Sequence, residues 1–410
     1  MQEQQLSAQE PARNVFLFRI FVVFVPAFIF SFSFPHALLP DIGKCFSPFF
    51  EVFAGWTARN LFHSDSLYSE KLLSDSSGMY ANALNVFLFA VLAAGIWTLL
   101  AKKRKQQKLK DLFFLFVRYY LVSQLLCYAF SKIFKYQFYL PEPNTLFTTV
   151  GNTPRDLLYW TSMGSSYTYT VFSGIIELIP ALLLLFRRTT LLGALIAAGV
   201  MTNVLMINIG FDISVKLYSA FLLLLCLLLI APHFKRLLQF FSGKSTAEFF
   251  STPFYRNEKW KRVYFPLKIA VIALLLLDSC FYNLQSGNFN DDHFPRPPLH
   301  GAYEVNFFSQ NGETLLHDPL RWKRVFIHRR NYLIVQHEDE TMQDFPIETD
   351  TAAHLIHINA ADYFSFRINA DSSLSLNGKI GDADYKLELR KIPLENLPLL
   401  REEFGWMMDQ

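Results

Sequence analysis

The residues best placed to do chemistry in this chain are ionisable side chains set inside long apolar runs. Each costs at least about 2.5 kcal/mol near the centre of a bilayer and so needs a physical reason to be there. Glu177 is the clearest case. It lies in Ser173-Gly174-Ile175-Ile176-Glu177-Leu178-Ile179-Pro180-Ala181, where helical steps of three and four put Ser173, Gly174, Glu177 and Ala181 on one small, polar face suited to meeting another helix. Pro180 has no amide proton, so the helix is expected to loosen beside the glutamate. Asn203, Asn208, Asp212 and Lys216 follow. At 1.5 Å rise per residue all of them fall in the same half of the membrane, with Glu177 roughly 14 Å deep and Asn203 roughly 8 to 10 Å. Asp212 and Lys216 are four apart and are expected to pair at the start of a helix, where the carboxylate also meets the N-terminal dipole. Arg118, Leu125 and Lys132 share a face at heptad spacing; Lys132 and Lys135 are expected to snorkel to the interface, which leaves Arg118 as the deeper charge.

Two readings of Arg118, Glu177, Asn203, Asn208, Asp212 and Lys216 stand side by side. They line a pocket for a solute or a quinone head group, or they are interhelical polar contacts that fix the register of a bundle. No catalytic role is assigned to any of them. All ten histidines, at 36, 63, 233, 293, 300, 317, 328, 337, 354 and 357, fall outside the apolar runs, which excludes a bis-histidine haem among the spans. Cys45, Cys127, Cys226 and Cys280 are far apart with no C-x-x-C, so no zinc or thioredoxin-like motif is present. The chain is therefore expected to carry no metal or haem centre of its own, and a redox role would use a diffusible quinone or a partner's cofactor. Cys127 and Cys226 read as small apolar packing residues, whereas Cys45 and Cys280 are a candidate disulfide.

The elements that must hold these residues are membrane helices. About seven apolar segments are long enough or nearly so, at roughly 15 to 34, 82 to 101, 112 to 134, 168 to 186, 190 to 208, 214 to 231 and 265 to 284. Every second connection is basic: Lys102 to Lys110, then Arg187 and Arg188, then Lys235 to Arg262. The positive-inside rule puts those loops and the N-terminus in the cytoplasm of a bacterial inner membrane, and an odd number of spans delivers the remainder to the periplasmic side. The first span lacks a small-x-small cleavage pattern and reads as an anchor rather than a signal peptide. Two loops on the far side are distinctive: the amphipathic Phe46 to Phe62, which suits the interface, and Tyr136 to Tyr167, broken by Pro141, Pro143 and Pro154 and carrying Tyr159 and Trp160.

Composition changes near residue 285. Beyond it about 12 Lys and Arg face about 20 Asp and Glu, so the net charge of +3 hides an acidic tail and a basic membrane part. Nucleic-acid binding is excluded, because the basic residues sit in loops between apolar runs rather than on a soluble face. Tyr303 to Phe307, Tyr332 to Val335, Leu355 to Ile358, Tyr363 to Ile368 and Tyr385 to Leu389 alternate as strands, with turns expected at Asn311-Gly312, Asn377-Gly378 and Gly381-Asp382. Seven or eight such strands make an antiparallel all-β domain, either a small barrel or a sandwich.

The stretch from Arg118 to Leu238 resembles the DoxX-like family of bacterial membrane proteins, in particular long variants with an extra C-terminal domain. The likeness rests on Arg118-Tyr119-Tyr120-Leu121 with Ser131-Lys132-Ile133-Phe134-Lys135, on Ser173-Gly174 with Glu177, and on Leu182 to Leu185 running into Phe186-Arg187-Arg188-Thr189-Thr190 and Gly193-Ala194. It continues in Met201-Thr202-Asn203-Val204 with Asn208, and in Asp212 with Val215-Lys216-Leu217. Where such proteins tend to have two glycines after the glutamate, this chain has Pro180 and Ala181. The resemblance implies a four-helix membrane bundle. Some members are subunits of thiosulfate:quinone oxidoreductases and others are linked to redox homeostasis. The layout expected is thus residues 1–111 as two N-terminal membrane helices with an outer loop, 112–240 as the DoxX-like bundle, 241–284 as a cytoplasmic loop and last span, and 285–410 as an extracytoplasmic β-rich domain. The functions implied are a quinone-linked redox accessory, or a non-catalytic envelope anchor presenting the β-domain to a ligand or to other membrane or periplasmic proteins.

Overall fold

The computed structural model describes residues 12–34, 36–64, 74–101, 106–244, 258–315, 318–319, 321–370 and 373–401. The basic run 102–105 and His317 lie outside them. In the first part run α1 (Ala12–Phe30), α2 (Ile42–Leu61), α3 (Ser77–Leu100), α4 (Gln107–Ile133), α5 (Pro143–Leu146), α6 (Arg155–Gly164), α7 (Tyr167–Leu184), α8 (Thr190–Gly210), α9 (Lys216–Ile230), α10 (Phe234–Phe241) and α11 (Glu258–Ser286). There follow β1 (Gly301–Gln310), β2 (Glu313–Thr314), β3 (Trp322–His328), β4 (Tyr332–His337), β5 (Met342–Pro346), β6 (Glu348–Asp350), β7 (Leu355–His357), β8 (Tyr363–Ile368), β9 (Leu374–Ile380) and β10 (Ala383–Ile392). The chain forms two compact units, one of residues 1–134 and 172–289, the other of residues 135–171 and 290–410.

Six helical stretches of the described residues are long and apolar enough to cross a membrane: α3, α4, α7, α8, Lys216–Phe241 and Tyr264–His293. The first of the seven expected spans is shorter than predicted. Its apolar helix covers Asn14–Phe30, and the chain turns at Ser31, whose amide and hydroxyl both donate to the Phe28 carbonyl while Asn82 donates to its hydroxyl oxygen. Around this helix Val25, Phe28, Val117, Leu121, Leu125, Leu184, Phe221 and Leu225 build a continuous core. The outward faces are equally apolar, as Leu92, Leu99 and Leu100 of α3 show by standing exposed. Helices apolar on both faces suit hydrocarbon on the outside. α2 turns small residues, Gly43, Ser47, Ala54 and Ala58, inward and leaves Phe46, Phe49, Phe53 and Trp56 exposed, the amphipathic pattern expected of that loop. All four cysteines are free thiols, so Cys45 and Cys280 are not joined; the Cys280 thiol donates instead to the Leu276 carbonyl.

In the other unit the strands form one antiparallel sheet in the order β5-β4-β3-β1-β10-β9-β8-β7-β6, with β2 paired to β1. Only Ile347 separates β5, at one edge, from β6, at the other, so the sheet has curled into a nearly closed barrel rather than a sandwich. Alternation fills the interior: Phe364 and Phe366 are buried while Tyr363 and Arg367 are exposed. They join Tyr303, Val305, Trp322, Leu333, Leu376 and Leu387 in the core. Asn311-Gly312 and Gly381-Asp382 turn as expected. Asn377-Gly378 does not, because it lies inside β9. A Cβ on Gly378 would meet the Tyr363 carbonyl oxygen at 2.0 Å, so this glycine serves strand-to-strand approach rather than a turn. The barrel's other face receives Phe147, which lies just after α5 and stacks on Phe326 at 5.7 Å with Arg324 over its ring.

Candidate functional site

In the helical unit the central polar contact joins α4 to α7. Lys132 Nζ donates to both oxygens of Glu177, at 2.5 and 2.6 Å, and both side chains are almost wholly buried. The approach depends on Gly174, where a Cβ would stand 2.7 Å from the Ala129 carbonyl oxygen and 3.0 Å from Lys132 Cβ. Lys132 does not snorkel, contrary to expectation. It is held by a carboxylate one helix away, and the Tyr128 ring lies 5.7 Å from its ammonium. More than two turns earlier on α4 lies a second polar chain: Tyr120 and Tyr218 share a hydroxyl contact of 3.0 Å, and Tyr218 donates to Gln124 at 2.6 Å.

The other predicted residues are dispersed rather than gathered round one pocket. Arg118 donates to Thr190 at 3.3 Å and lies over the Tyr119 ring. Asn208 donates to Ser219 at 3.1 Å, and Asn203 is exposed on α8. Asp212 and Lys216 pair at 2.7 Å, but Asp212 lies before α9 in a left-handed turn with φ +55°. The carboxylate at the helix N-terminus is Asp75, which accepts from the amides of Lys216 and Leu217 at 2.7 and 3.0 Å. Arg118, Asn208, Asp212 and Lys216 thus meet separate neighbours, Asn203 stands exposed, and Arg118 Nε and Nη2 are buried without a hydrogen-bond partner among the described residues.

The barrel unit holds a denser cluster that sequence reasoning did not pick out. Glu142, between Pro141 and Pro143, accepts from the Arg329 guanidinium at Oε1 and, at 3.1 Å, from the Arg329 amide at Oε2, and His300 Nε2 stands 3.1 Å from the same Oε2. Arg329 also reaches Asp291 at 2.6 Å and lies 3.8 Å over the Tyr139 ring. Arg296 donates to the Asp291 carbonyl at 2.7 Å. Burial pushes the Glu142 carboxyl up, but the His300 contact, the Arg329 charge and the Arg329 amide outweigh it and hold the group down at about 2. Burial alone would lower the Arg329 guanidinium, yet Glu142 and Asp291 keep it above its ordinary value. Lys135, expected to snorkel, is fully buried at φ +59° and donates to the Gly164 carbonyl at 2.6 Å with Asp292 at 3.3 Å. The signal available in sequence was a carboxylate fixed between two prolines and an Asp291-Asp292 pair, neither of which reveals its partner.

Against this cluster opens a cavity of about 550 Å³, lined by Tyr136, Tyr139, Asp291, Arg296, Arg329 and Arg330 among others. Three arginines and one aspartate therefore contribute to its lining, two of the arginines being engaged by Asp291 or Glu142, with Phe294, Pro295 and Pro297 as its apolar wall. This volume lies within the range of small-molecule sites.

Over 71 residues, 17% of this chain, the sequence is 42% identical to the uncharacterized protein YwoB of Bacillus subtilis (strain 168), a match covering 46% of that protein. The chain thus spans less than half the length of this curated relative. No protein-family model matches the chain, and no solved structure matches it.

Proposed function

We propose that this is a DoxX-like multi-pass protein of a bacterial inner membrane whose helical unit anchors the barrel unit on the periplasmic side as a binding module for a small anionic ligand. The observation that carries the reading is the cavity, whose lining includes Arg296, Arg329 and Arg330, so that with Asp291 and Glu142 counted one arginine charge is left in excess. Arginine is the side chain suited to planar carboxylate or phosphate recognition. The pairwise use of polar residues in the helical unit supports an anchoring role there, since Glu177, Asn208 and Arg118 each meet a partner on another helix. Sidedness rests on the basic connections, with α1 counted as the seventh crossing; its apolar helix Asn14–Phe30, which includes Arg19, is about 26 Å long, the lower end of what suffices.

Titration of the full-length protein with inorganic phosphate and with succinate, read as a thermal shift, tests the binding reading. One of the two anions should raise the melting temperature of the wild type, and an Arg296→Ala, Arg330→Ala double variant should lose the shift. Absence of a shift with either anion rejects it.

A quinone-linked redox role is the second reading, favoured by the buried Tyr120–Tyr218–Gln124 hydroxyl and amide chain between α4 and α9. A head group replacing one of these hydroxyl contacts would need no metal ligand. Failure of the purified protein to bind a soluble quinone analogue would remove it.

A further inference from the structure

Three residues from segments far apart in sequence meet in the helical unit with the ligand types of a metal centre. His36 follows α1, Cys127 lies on α4 and Asp278 on α11, and an imidazole nitrogen, the thiol sulfur and a carboxylate oxygen all stand within 4.8 Å of one another. α4 and α11 pack together. Asp278 is eight residues before the end of α11 and Cys127 six before the end of α4, so the two lie at similar depths of about 12 and 9 Å along their helices.

Two features argue for more than an incidental contact. Asp278 Oδ1 accepts from three consecutive backbone amides, Ala37 at 2.9 Å, Leu38 at 2.7 Å and Leu39 at 3.1 Å, which fixes the carboxylate and aims Oδ2 at His36 Nδ1, 2.8 Å away. Anchoring of one carboxylate oxygen while the other faces a second ligand is how outer contacts orient a metal ligand. The second feature is charge. Asp278 is buried in an apolar body, and among the described residues no lysine or arginine pairs with it. A divalent ion bound by one carboxylate, one thiolate and one neutral imidazole sums to zero, the charge state least costly in that setting.

We infer that His36, Cys127 and Asp278 form a binding site for a zinc-class divalent ion, with the fourth position left to water. Tetrahedral coordination at about 2.0–2.3 Å places neighbouring ligand atoms about 3.4–3.6 Å apart. The His36–Asp278 contact opens by about 0.6 Å to reach this and the thiol swings inward by a rotation of its one side-chain torsion. Binding replaces the S–H bond of Cys127 with a sulfur–metal bond and releases that proton to solvent, while the proton that His36 Nδ1 shares with Asp278 Oδ2 passes to Nε2 so that the Nδ1 lone pair is free for the metal; no electron is transferred.

The test loads the full-length protein in detergent with zinc and, separately, with cobalt(II) as a spectroscopic probe. The site predicts one tightly held ion per chain and a thiolate-to-cobalt charge-transfer band with tetrahedral visible bands. Cys127→Ser, nearly isosteric, should abolish the charge-transfer band and weaken binding by more than the roughly 10–100-fold that an outer-shell partner is worth. Cys45→Ser and Cys280→Ser should leave both unchanged. Because Asp278→Asn also disturbs the loop after α1, Cys127→Ser carries the decision, with thermal unfolding as the check that it folds. No retained ion in the wild type, or a charge-transfer band that survives Cys127→Ser, overturns the site.

Discussion

The helical unit and the barrel unit bury charge in different ways. Between α4 and α7, Lys132 and Glu177 form a closed pair in which one ammonium satisfies both oxygens of one carboxylate. In the barrel unit Glu142, Arg329, Asp291, Arg296 and His300 are linked into one network, with part of it facing a cavity. The difference follows from the backbone. A helix satisfies its own amides and carbonyls, so a charged side chain within it must look to a neighbouring helix, and only a small residue such as Gly174 lets that neighbour come close enough. The barrel network grows from irregular segments, the Pro141-Glu142-Pro143 corner, the turn at Asp291 and the turn after β3, where the Arg329 amide adds a contact to Glu142. A pair fixes one helix in register against another; a network with spare donors can accept a ligand.

The largest effect should come from breaking the closed pair. Glu177→Ala leaves Lys132 buried without its carboxylate and is expected to cost about 3–5 kcal/mol in unfolding of the detergent-solubilised protein. The Lys132→Met, Glu177→Leu double variant should recover most or all of that loss, as apolar replacements of buried pairs do. If each single variant costs no more than the double, the contact is not coupled. Next in size, Gly174→Val forces α7 off α4 and should destabilise by about 1–3 kcal/mol, with cross-linking between the helices reporting the added distance.

The network should reveal itself through pH. Glu142 has a folded value of about 2 against an ordinary 4.5, so it stabilises the barrel unit above about pH 4.5, and that contribution fades as pH falls through about 2. Melting temperature measured from pH 5 down to 2 should therefore fall less steeply in Glu142→Gln than in the wild type. Equal slopes would remove the depressed carboxyl from the account. Smaller still, Asp75→Asn at the start of α9 should cost about 0.5–1 kcal/mol. The exposed Asp212–Lys216 pair should be worth at most about 0.5 kcal/mol by Asp212→Ala.

Hydropathy made the membrane helices legible, and alternation made β8 legible to the residue, because both patterns are local. Glu177 stood out for the same reason, as a charge inside an apolar run. Its partner did not. Lys132 sits near a helix end, where snorkelling is the ordinary expectation, and nothing in sequence says that Gly174 brings α7 against it. Glu142 with Arg329 and His36 with Cys127 and Asp278 join residues more than ninety positions apart, so their meeting is a property of the fold alone. Asn377-Gly378 misled because glycine answers two needs, a tight turn and a close strand, and the dipeptide does not distinguish them.

The proposed roles of anchor and binding module require that the chain thread the membrane as its basic loops direct. Paired fusions at Gln410 to alkaline phosphatase and to a fluorescent protein that folds only in the cytoplasm measure this directly. An active phosphatase with a dark fluorescent partner is the predicted result; a bright fluorescent fusion with an inactive phosphatase would place the barrel unit in the cytoplasm and contradict the account.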